Sequence, residues 1–567
     1  MNLPGNSPGK RNASVATSTD WPDDPDHPDG YDGIHPTVYA RRWKTLAVLC
    51  GSLVIVIVGN TVLNVALPTL QKPLTDGGLG ASNTQVQWIV DAYGLVFAGL
   101  LFTAAALGDR FGRKGALQAG LVIFGLGSFF GAIADSSGTL IVARAIMGVG
   151  AALVMPSTLS ILTNVFPGRE RARAIAIWAG ISGGGAAIGP MTSVFLLEPF
   201  WWGSVFLVNL PIILAALVAG YVLVPKSQDS GRTPLDPVGA VLSVVGLGSL
   251  VYAIIEGPHH GWLSASSALW FGLATVFLVT FGVWEWRNRH PMLDLTLFTD
   301  RRFAVSSGGI TLVFFAMFGV LFMLAQYLQG VLGYSPLGAA VRMLPFSAVM
   351  VAIAPQTPKF VGRFGANVVA TAGLGLVALG MAGTALFGVD SSYLQLAVTL
   401  SVLAAGMALT MTPMTTQLMA SVPRNRAGMG SATNDTTREL GGALGVAVLG
   451  SLITSKYTSG VTPAVAGLAD DVRKEATESL GGVFGVISRN LVPADEAGRL
   501  VDSAKQAFVD GLSLAAIVSA VVVGAAAIAV YKLLPRDSNV AGAAHAPAST
   551  DDADDVAERD IEPLAGN

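Results

Sequence analysis

The chain has 567 residues, of which 52% are hydrophobic and 13% charged, with a mean hydropathy of +0.59. Soluble domains carry charge on about 25% of their residues, so composition excludes an ordinary soluble protein and assigns most of the chain to lipid. The formal net charge of −3 comes without a basic run suited to nucleic acid, and a single cysteine, Cys50, excludes an intrachain disulfide.

Residues 1–44 are rich in Pro, Asp, Gly and Ser and read as a disordered tail. The first apolar run begins near Thr45, too late for a cleavable signal, and none is expected. A spanning helix needs about 20 mainly apolar residues. Fourteen such stretches follow: 45–70, 85–108, 116–135, 138–164, 172–197, 203–224, 236–256, 262–286, 302–330, 336–356, 364–387, 391–419, 428–455 and 509–534. The fold class is an all-α polytopic membrane protein. It divides into a six-helix bundle over 45–224, a linker with two extra spans over 225–301, and a second six-helix bundle over 302–534. A disordered tail fills 535–567.

Lys and Arg in short loops set orientation. With the N-terminus inside, Arg41, Arg42 and Lys44, then Arg110, Arg113 and Lys114, then Arg169, Arg171 and Arg173, and finally Arg287, Arg289, Arg301 and Arg302 all face the cytoplasm. Both termini are therefore expected inside, in a plasma membrane. The polar connection 456–508 is long enough to escape the charge rule. It is expected outside as a helical hairpin, with amphipathic helices over 468–480 and 495–508, either covering the exit or solvated without a role.

Three stretches carry chemistry. Gly108-Asp109-Arg110-Phe111-Gly112-Arg113-Lys114 is a charged turn between spans 2 and 3, and Phe360-Val361-Gly362-Arg363-Phe364-Gly365 echoes it after span 10. Arg144 stands alone in apolar span 4. Span 5 carries Gly180, Gly184, Gly185 and Gly189, then Pro190, which suits close packing and a bend. Asn64-Val65-Ala66-Leu67-Pro68, Trp88-Ile89-Val90-Asp91-Ala92-Tyr93 and Thr437-Arg438-Glu439-Leu440-Gly441-Gly442 accompany them. In this order the motifs resemble those of the fourteen-span drug:proton antiporters of the major facilitator superfamily, from about Thr45 to Leu534. Gly59 stands where that family often has an Asp, and Ser193 and Val194 stand where two glycines usually follow Gly-Pro.

The resemblance implies alternating access and proton-driven efflux of lipophilic drugs, dyes or antibiotics. The alternatives are export of an endogenous metabolite or lipid, and proton-coupled uptake. It further implies that the 108–114 turn, with Gly185, Gly189 and Pro190, serves the conformational cycle. No cofactor is expected beyond the proton gradient. The expected partners are small lipophilic or cationic substrates, protons and membrane lipids, around a monomer.

Ionisable groups inside a bilayer are costly, roughly 2.5–3.5 kcal/mol even on insertion scales. Asp91 and Arg144 each lie six residues into a span that runs inward, about 9 Å deep. Equal depth makes an ion pair feasible, either permanent or competing with a proton and a cationic substrate; the second reading is favoured. Asp435, Arg438 and Glu439 share one face of span 13 and form a second set, in which one arginine neutralises one acid at a time and leaves the other to titrate or meet a cation; Asp91 is expected to be the principal proton-coupled carboxylate. Asn60 and Asn64 of span 1, with Trp88, Tyr93, Phe97, Phe314, Phe315 and Tyr327, are assigned to the substrate cavity, where aromatic faces hold lipophilic cations. No phosphate-binding loop ending in Gly-Lys-Ser/Thr, no hydrolase elbow and no histidine cluster occurs, so neither ATP, a metal nor enzymatic chemistry is expected.

Overall fold

The computed structural model describes residues 34–73, 77–185, 188–197, 199–227 and 235–535, and no strand occurs among them. Thirteen helices in this set are long and apolar enough to span a membrane. Of the expected tails 1–44 and 535–567, residues 1–33 and 536–567 lie outside the described residues, and 36–44 are helical.

The spans are Pro36–Thr61, Asn83–Phe111, Arg113–Ala132 and Ser137–Val165. Span 5 comes in two pieces, Gly168–Gly184 and Ile188–Leu197, each too short to qualify alone. Spans 6 to 8 follow as Ser204–Leu223, Pro237–His260 and Ala265–Arg287. Span 9 is Arg301–Gln326, closed by a π-helical turn over Tyr327–Val331. Span 10 is segmented at its prolines, between Pro336 and Phe364. Ala366–Thr384, Tyr393–Ala420, Ala427–Val461 and Ala494–Leu533 complete the set.

Two boundaries differ from the sequence reading. Span 1 is helical from Pro36 rather than Thr45, because its polar first turns have a partner: Arg42 makes an ion pair of 2.5 Å with Glu170 of span 5. The 456–508 connection contains helices over Asp470–Glu478 and Leu480–Ser488, and its last part is the start of span 14, helical from Ala494. Leu480, Val483 and Val486 are buried, which anchors the middle helix that alternating polarity alone does not reveal.

The two bundles repeat a backbone device. Gly112 (φ +113°) joins spans 2 and 3, and Gly365 (φ +86°) joins spans 10 and 11. Both need a left-handed conformation that only glycine adopts at little cost. Before each, an arginine lies over the neighbouring phenylalanine: Arg110 over Phe111 at 5.4 Å and Arg363 over Phe364 at 5.3 Å.

On the face where span 1 begins and span 14 ends, here the terminal face, the 108–114 turn locks the halves together. Arg113, only 2% exposed, bonds Asp109 at 2.7 Å. Its Nη2 donates to the carbonyls of Arg424 (3.1 Å) and Asn425 (2.8 Å), ahead of span 13. Asp109 Oδ1 accepts from the Gly428 N–H at 3.2 Å, so the carboxylate caps the positive end of span 13. A Cβ at Gly428 would fall 2.5 Å from Asp109 Oδ2, so only glycine admits that approach. Lys114 stays within its own half, donating to the Tyr221 carbonyl at 2.6 Å.

This latch predicts a measurable opening. Cys50 is buried, so a cysteine introduced at Ala427, itself 2% exposed, reports alone. Loss of a charge-assisted hydrogen bond weighs about 1.5–3 kcal/mol. In the Asp109→Asn background, maleimide labelling of Ala427→Cys is expected to accelerate about ten-fold or more. An unchanged labelling rate would show that the turn does not hold this face shut.

Candidate functional site

Seven residues beyond the capped end of span 13, its buried charged set begins. Asp435 is 1% exposed and Arg438 8%. Arg438 Nη1 lies 3.5 Å from Asp435 Oδ1, a loose pairing. Asn434 Nδ2 donates to the same oxygen at 3.2 Å, and Thr415 of span 12 donates to Asn434 Oδ1 at 3.1 Å. Asp435 Oδ2 is buried with no hydrogen-bond partner. A buried carboxylate oxygen left in this state is a place for a proton or a cation.

Arg438 does not belong to Asp435 alone. Its Nη2 donates across the halves to Ser182 Oγ of span 5. Its guanidinium lies 4.7 Å from the centre of the Phe314 ring and 5.3 Å from that of Trp178. Trp178 is held in turn by its Nε1–H bond to Thr158 of span 4 at 3.1 Å. Half-buried Glu439 lies within electrostatic reach of Arg438, Asp435 and Tyr93. Three ionisable groups thus share the seam between the halves.

In the first half, Arg144 is fully buried. Its Nε donates to the Ile89 carbonyl at 3.0 Å and its Nη1 to the Gly59 carbonyl at 2.8 Å. Its charge lies 4.5 Å from the Tyr93 ring centre, and its Nη2 has no partner. The expected ion pair with Asp91 is not formed. The reason is helical phase: Ile89, Tyr93 and Phe97 recur at intervals of four and face span 4. Asp91 lies two residues from Ile89 and turns away. Gln87, one turn earlier, donates to Glu256 of span 7 at 3.1 Å, and both Glu256 and Arg144 lie within electrostatic reach of Asp91. Asp91 therefore borders the inserted spans.

The aromatic assignments divide in the same way. Trp88 packs on Tyr252 of span 7 at 5.8 Å. Tyr93 is stacked on Phe97 at 6.0 Å and donates to the Val56 carbonyl at 3.3 Å. Tyr327 is buried, bonded to the Gly388 carbonyl at 2.6 Å and stacked on Phe387 at 5.5 Å. Phe314 meets Arg438, while Phe315 is buried beside it. Asn60 is half-buried in span 1; the side chains of Asn64 and Pro190 lie outside the described residues. Gly59 leaves no room for an acid: a Cβ there would fall 2.5 Å from the Phe124 ring.

The small residues of span 5 meet the second half. A Cβ at Gly180 would lie 2.9 Å from Ala354 of span 10, and one at Gly184 2.8 Å from Val351. Gly185 faces Ile57 at 3.5 Å and Gly189 abuts Thr61, both of span 1. Ser182, between these glycines, is the residue that sequence reasoning missed. Its signal was a hydroxyl in a stretch otherwise made of glycine, alanine and isoleucine.

The comparisons agree with this architecture. The family model described as Major Facilitator Superfamily matches residues 49–446. The multidrug efflux pump LfrA of Mycolicibacterium smegmatis is 38% identical over 86% of this chain and 96% of its own length. The multidrug resistance protein Stp of Mycobacterium tuberculosis is 34% identical over 85% and 90%, and the methyl viologen resistance protein SmvA of Salmonella typhimurium 32% over 84% and 94%. Among solved structures, the human organic anion transporter MFSD10 superposes with a TM-score of 0.55 at 13% identity, over 85% of this chain and 99% of its own.

The Ser182 bond predicts a stability change. Ser182→Ala leaves a buried guanidinium N–H without an acceptor, which costs about 1.5–3 kcal/mol. The purified variant is expected to unfold at lower temperature, and Ser182→Thr to restore most of the loss. Equal melting temperatures for Ser182→Ala and the parent would mean that the contact carries no energy.

Proposed function

The chain belongs to the major facilitator superfamily, and we propose that it is a proton-coupled exporter of lipophilic, preferentially cationic drugs working by alternating access. The observation that carries this reading is the buried Asp435 oxygen without a partner, next to an arginine shared with the opposite half. Relatives named for multidrug efflux and methyl viologen resistance support the substrate class. Both termini are assigned to the cytoplasm of a plasma membrane on the arginine and lysine bias of the terminal face. The chain is proposed to work as a monomer, as a transporter rather than an enzyme.

In this mechanism Asp435 and Glu439 compete for Arg438. When a proton neutralises one acid, Arg438 is left to the other while Ser182 and the rings of Phe314 and Trp178 keep hold of it. When the proton leaves, one carboxylate has no arginine of its own and presents negative charge to a cation. Low dielectric makes these exchanges larger than they would be in water. The Asp109 cap holds the inner end of the same helix, so a shift of span 13 driven by its charge state reaches the latch directly.

The experiment is efflux from vesicles of inverted and right-side-out orientation under an imposed pH gradient. A cationic dye should be moved against its gradient, and an uncoupler should stop it while ATP depletion does not. Asp435→Asn and Glu439→Gln are each expected to lower gradient-driven transport at least ten-fold while dye exchange without a gradient persists. Asp91→Asn, on the flank of span 2 that meets span 7, is expected to keep most of the coupled rate. Coupled transport that survives in Asp435→Asn and Glu439→Gln but collapses in Asp91→Asn would move the proton site to the border of spans 2 and 7.

A further inference from the structure

The inserted spans carry a buried pair of carboxylates of their own, at the terminal face where span 7 begins and span 8 ends. Asp236 is 6% exposed and Glu285 2%. Asp236 is the N-cap of span 7, and its donors are neutral groups. Its Oδ1 accepts from the Gly239 N–H at 2.8 Å, and its Oδ2 from Asn288 Nδ2 at 2.7 Å. The Trp284 Nε1–H lies across both oxygens, at 3.0 and 2.8 Å. These donors occupy Asp236 without neutralising its charge.

Glu285 has fewer partners. Its Oε2 accepts from the Leu293 N–H at 3.2 Å, with the Met292 amide close by. Its Oε1 is buried with no hydrogen-bond partner. That oxygen and Asp236 Oδ2 converge on Gly239, where a Cβ would fall 2.6 Å from each. Only a residue without a side chain lets the two carboxylates approach over the first turn of span 7. Among the described residues, Asp236 is the one charged group within electrostatic reach of Glu285. Arg287 at the end of span 8 is exposed, as are Arg289 and His290 in the loop that follows. Asp294 faces Arg426, at 3.8 Å. Glu256 lies at the far end of span 7, about 30 Å along the helix. Span 2 packs here through Phe102, whose ring lies 6.4 Å from that of Phe281, and the turn Leu295–Thr299 carries no charge.

We propose that Glu285 and Asp236 form a proton-binding site on the terminal face, separate from the acids of the seam. A proton from solution adds to Glu285 Oε1, and the new O–H donates to the Asp236 carboxylate; no other bond changes. The shared proton gives the orphan oxygen a partner and removes the repulsion between two neighbouring carboxylates. A metal ion needs more oxygens than this pair supplies, since both Asp236 oxygens already accept from N–H groups. The site bears on the latch through the loop. Glu285 holds Leu293, and the next residue, Asp294, reaches the positive end of span 13, its N–H 3.3 Å from Met429 Sδ. Met429 follows Gly428, which donates to Asp109. Loss of the proton sets two negative charges against each other between spans 7 and 8, beside this loop, so acid favours the clasped arrangement.

The test uses the purified full chain in detergent, with infrared difference spectroscopy and thermal unfolding from about pH 5 to about pH 9. At the acid end the parent is expected to show the C=O stretch of one more protonated carboxyl group than Glu285→Gln, and the excess should vanish at the alkaline end. The same excess should survive in an Asp435→Asn background, which separates this site from the seam. Glutamine places an N–H where the shared O–H would stand. Glu285→Gln should therefore melt with the parent in acid and above it in alkali. Asp236→Asn is the second variant, should the first fold poorly: with the neighbouring charge removed, the Glu285 band is expected to fade at a pH lower than in the parent by about one unit or more. The proposal is overturned if parent and Glu285→Gln show the same carboxyl band at every pH. It is equally overturned if Glu285→Gln melts no higher than the parent at any pH, the mark of a permanently ionised acceptor for Leu293. Stabilisation by sodium, magnesium or calcium in the parent but not in Glu285→Gln would assign the pair to a metal ion and overturn it too.

Discussion

Span 13 has to carry Asp435, Arg438 and Glu439 through a layer in which unpartnered charge costs several kcal/mol, and much of the molecule's arrangement follows from how that charge is accommodated. Two acids and one arginine cannot neutralise completely. The surplus is handled by sharing: Asn434 donates to Asp435, and Arg438 divides its guanidinium among Asp435, Ser182, Phe314 and Trp178. Asn434 and Asp435 share span 13 with the arginine, but Phe314 comes from span 9, and Ser182 and Trp178 come from span 5 of the other half. The set therefore fits together in one packing of the halves, and a change in protonation alters which contacts are worth keeping. A charge cluster confined to one bundle would titrate without moving anything.

The latch on the terminal face acts on the same helix. Asp109 stabilises the positive end of span 13 and Arg113 grips the carbonyls just ahead of it. The central cluster and the latch thus bear on one rigid element, and no wire of intermediate residues is needed between them. The inserted spans 7 and 8 touch this system at its edge, through Glu256 and Tyr252 against Gln87 and Trp88. Trp262, beyond span 7, donates to Ser451 of span 13 at 3.1 Å.

Much of this was legible in the sequence for a physical reason. Spans announce themselves because lipid demands long apolar runs, and the turn at 108–114 does so because glycine, charge and spacing recur together. Depth was legible as well, since rise per residue is fixed. Rotation was not. Asp91 and Arg144 sit at matching depths, yet a two-residue offset from Ile89 turns Asp91 toward span 7. Sequence alone does not say which flank of span 2 meets which neighbour. Ser182 and Trp178 were missed because their meaning lies in Arg438, more than 250 positions away and in the other half. The bond of Tyr327 to a loop carbonyl was not legible either, since an aromatic in a cavity-lining span and one holding a loop carbonyl look identical in sequence.

Gly59 shows how an apparent deficiency in the sequence becomes an arrangement in the structure. Where the resemblance leads one to expect an acid, the Phe124 ring occupies the space. The backbone carbonyl of the same residue accepts from Arg144. Without an acid there, Arg144 needs neutral acceptors, and it finds them in two carbonyls and the face of Tyr93. Its remaining Nη2 group has no partner. Of the acids, Asp91 is the one within electrostatic reach of Arg144, while Glu439 reaches Tyr93 from the second half. A buried cation held by carbonyls rather than by a bonded carboxylate keeps much of its charge, and low dielectric carries that charge further than water would. Arg144 then stands as a fixed positive charge between spans 1, 2 and 4, where the carbonyl of Gly59 rather than an added acid supplies its acceptor.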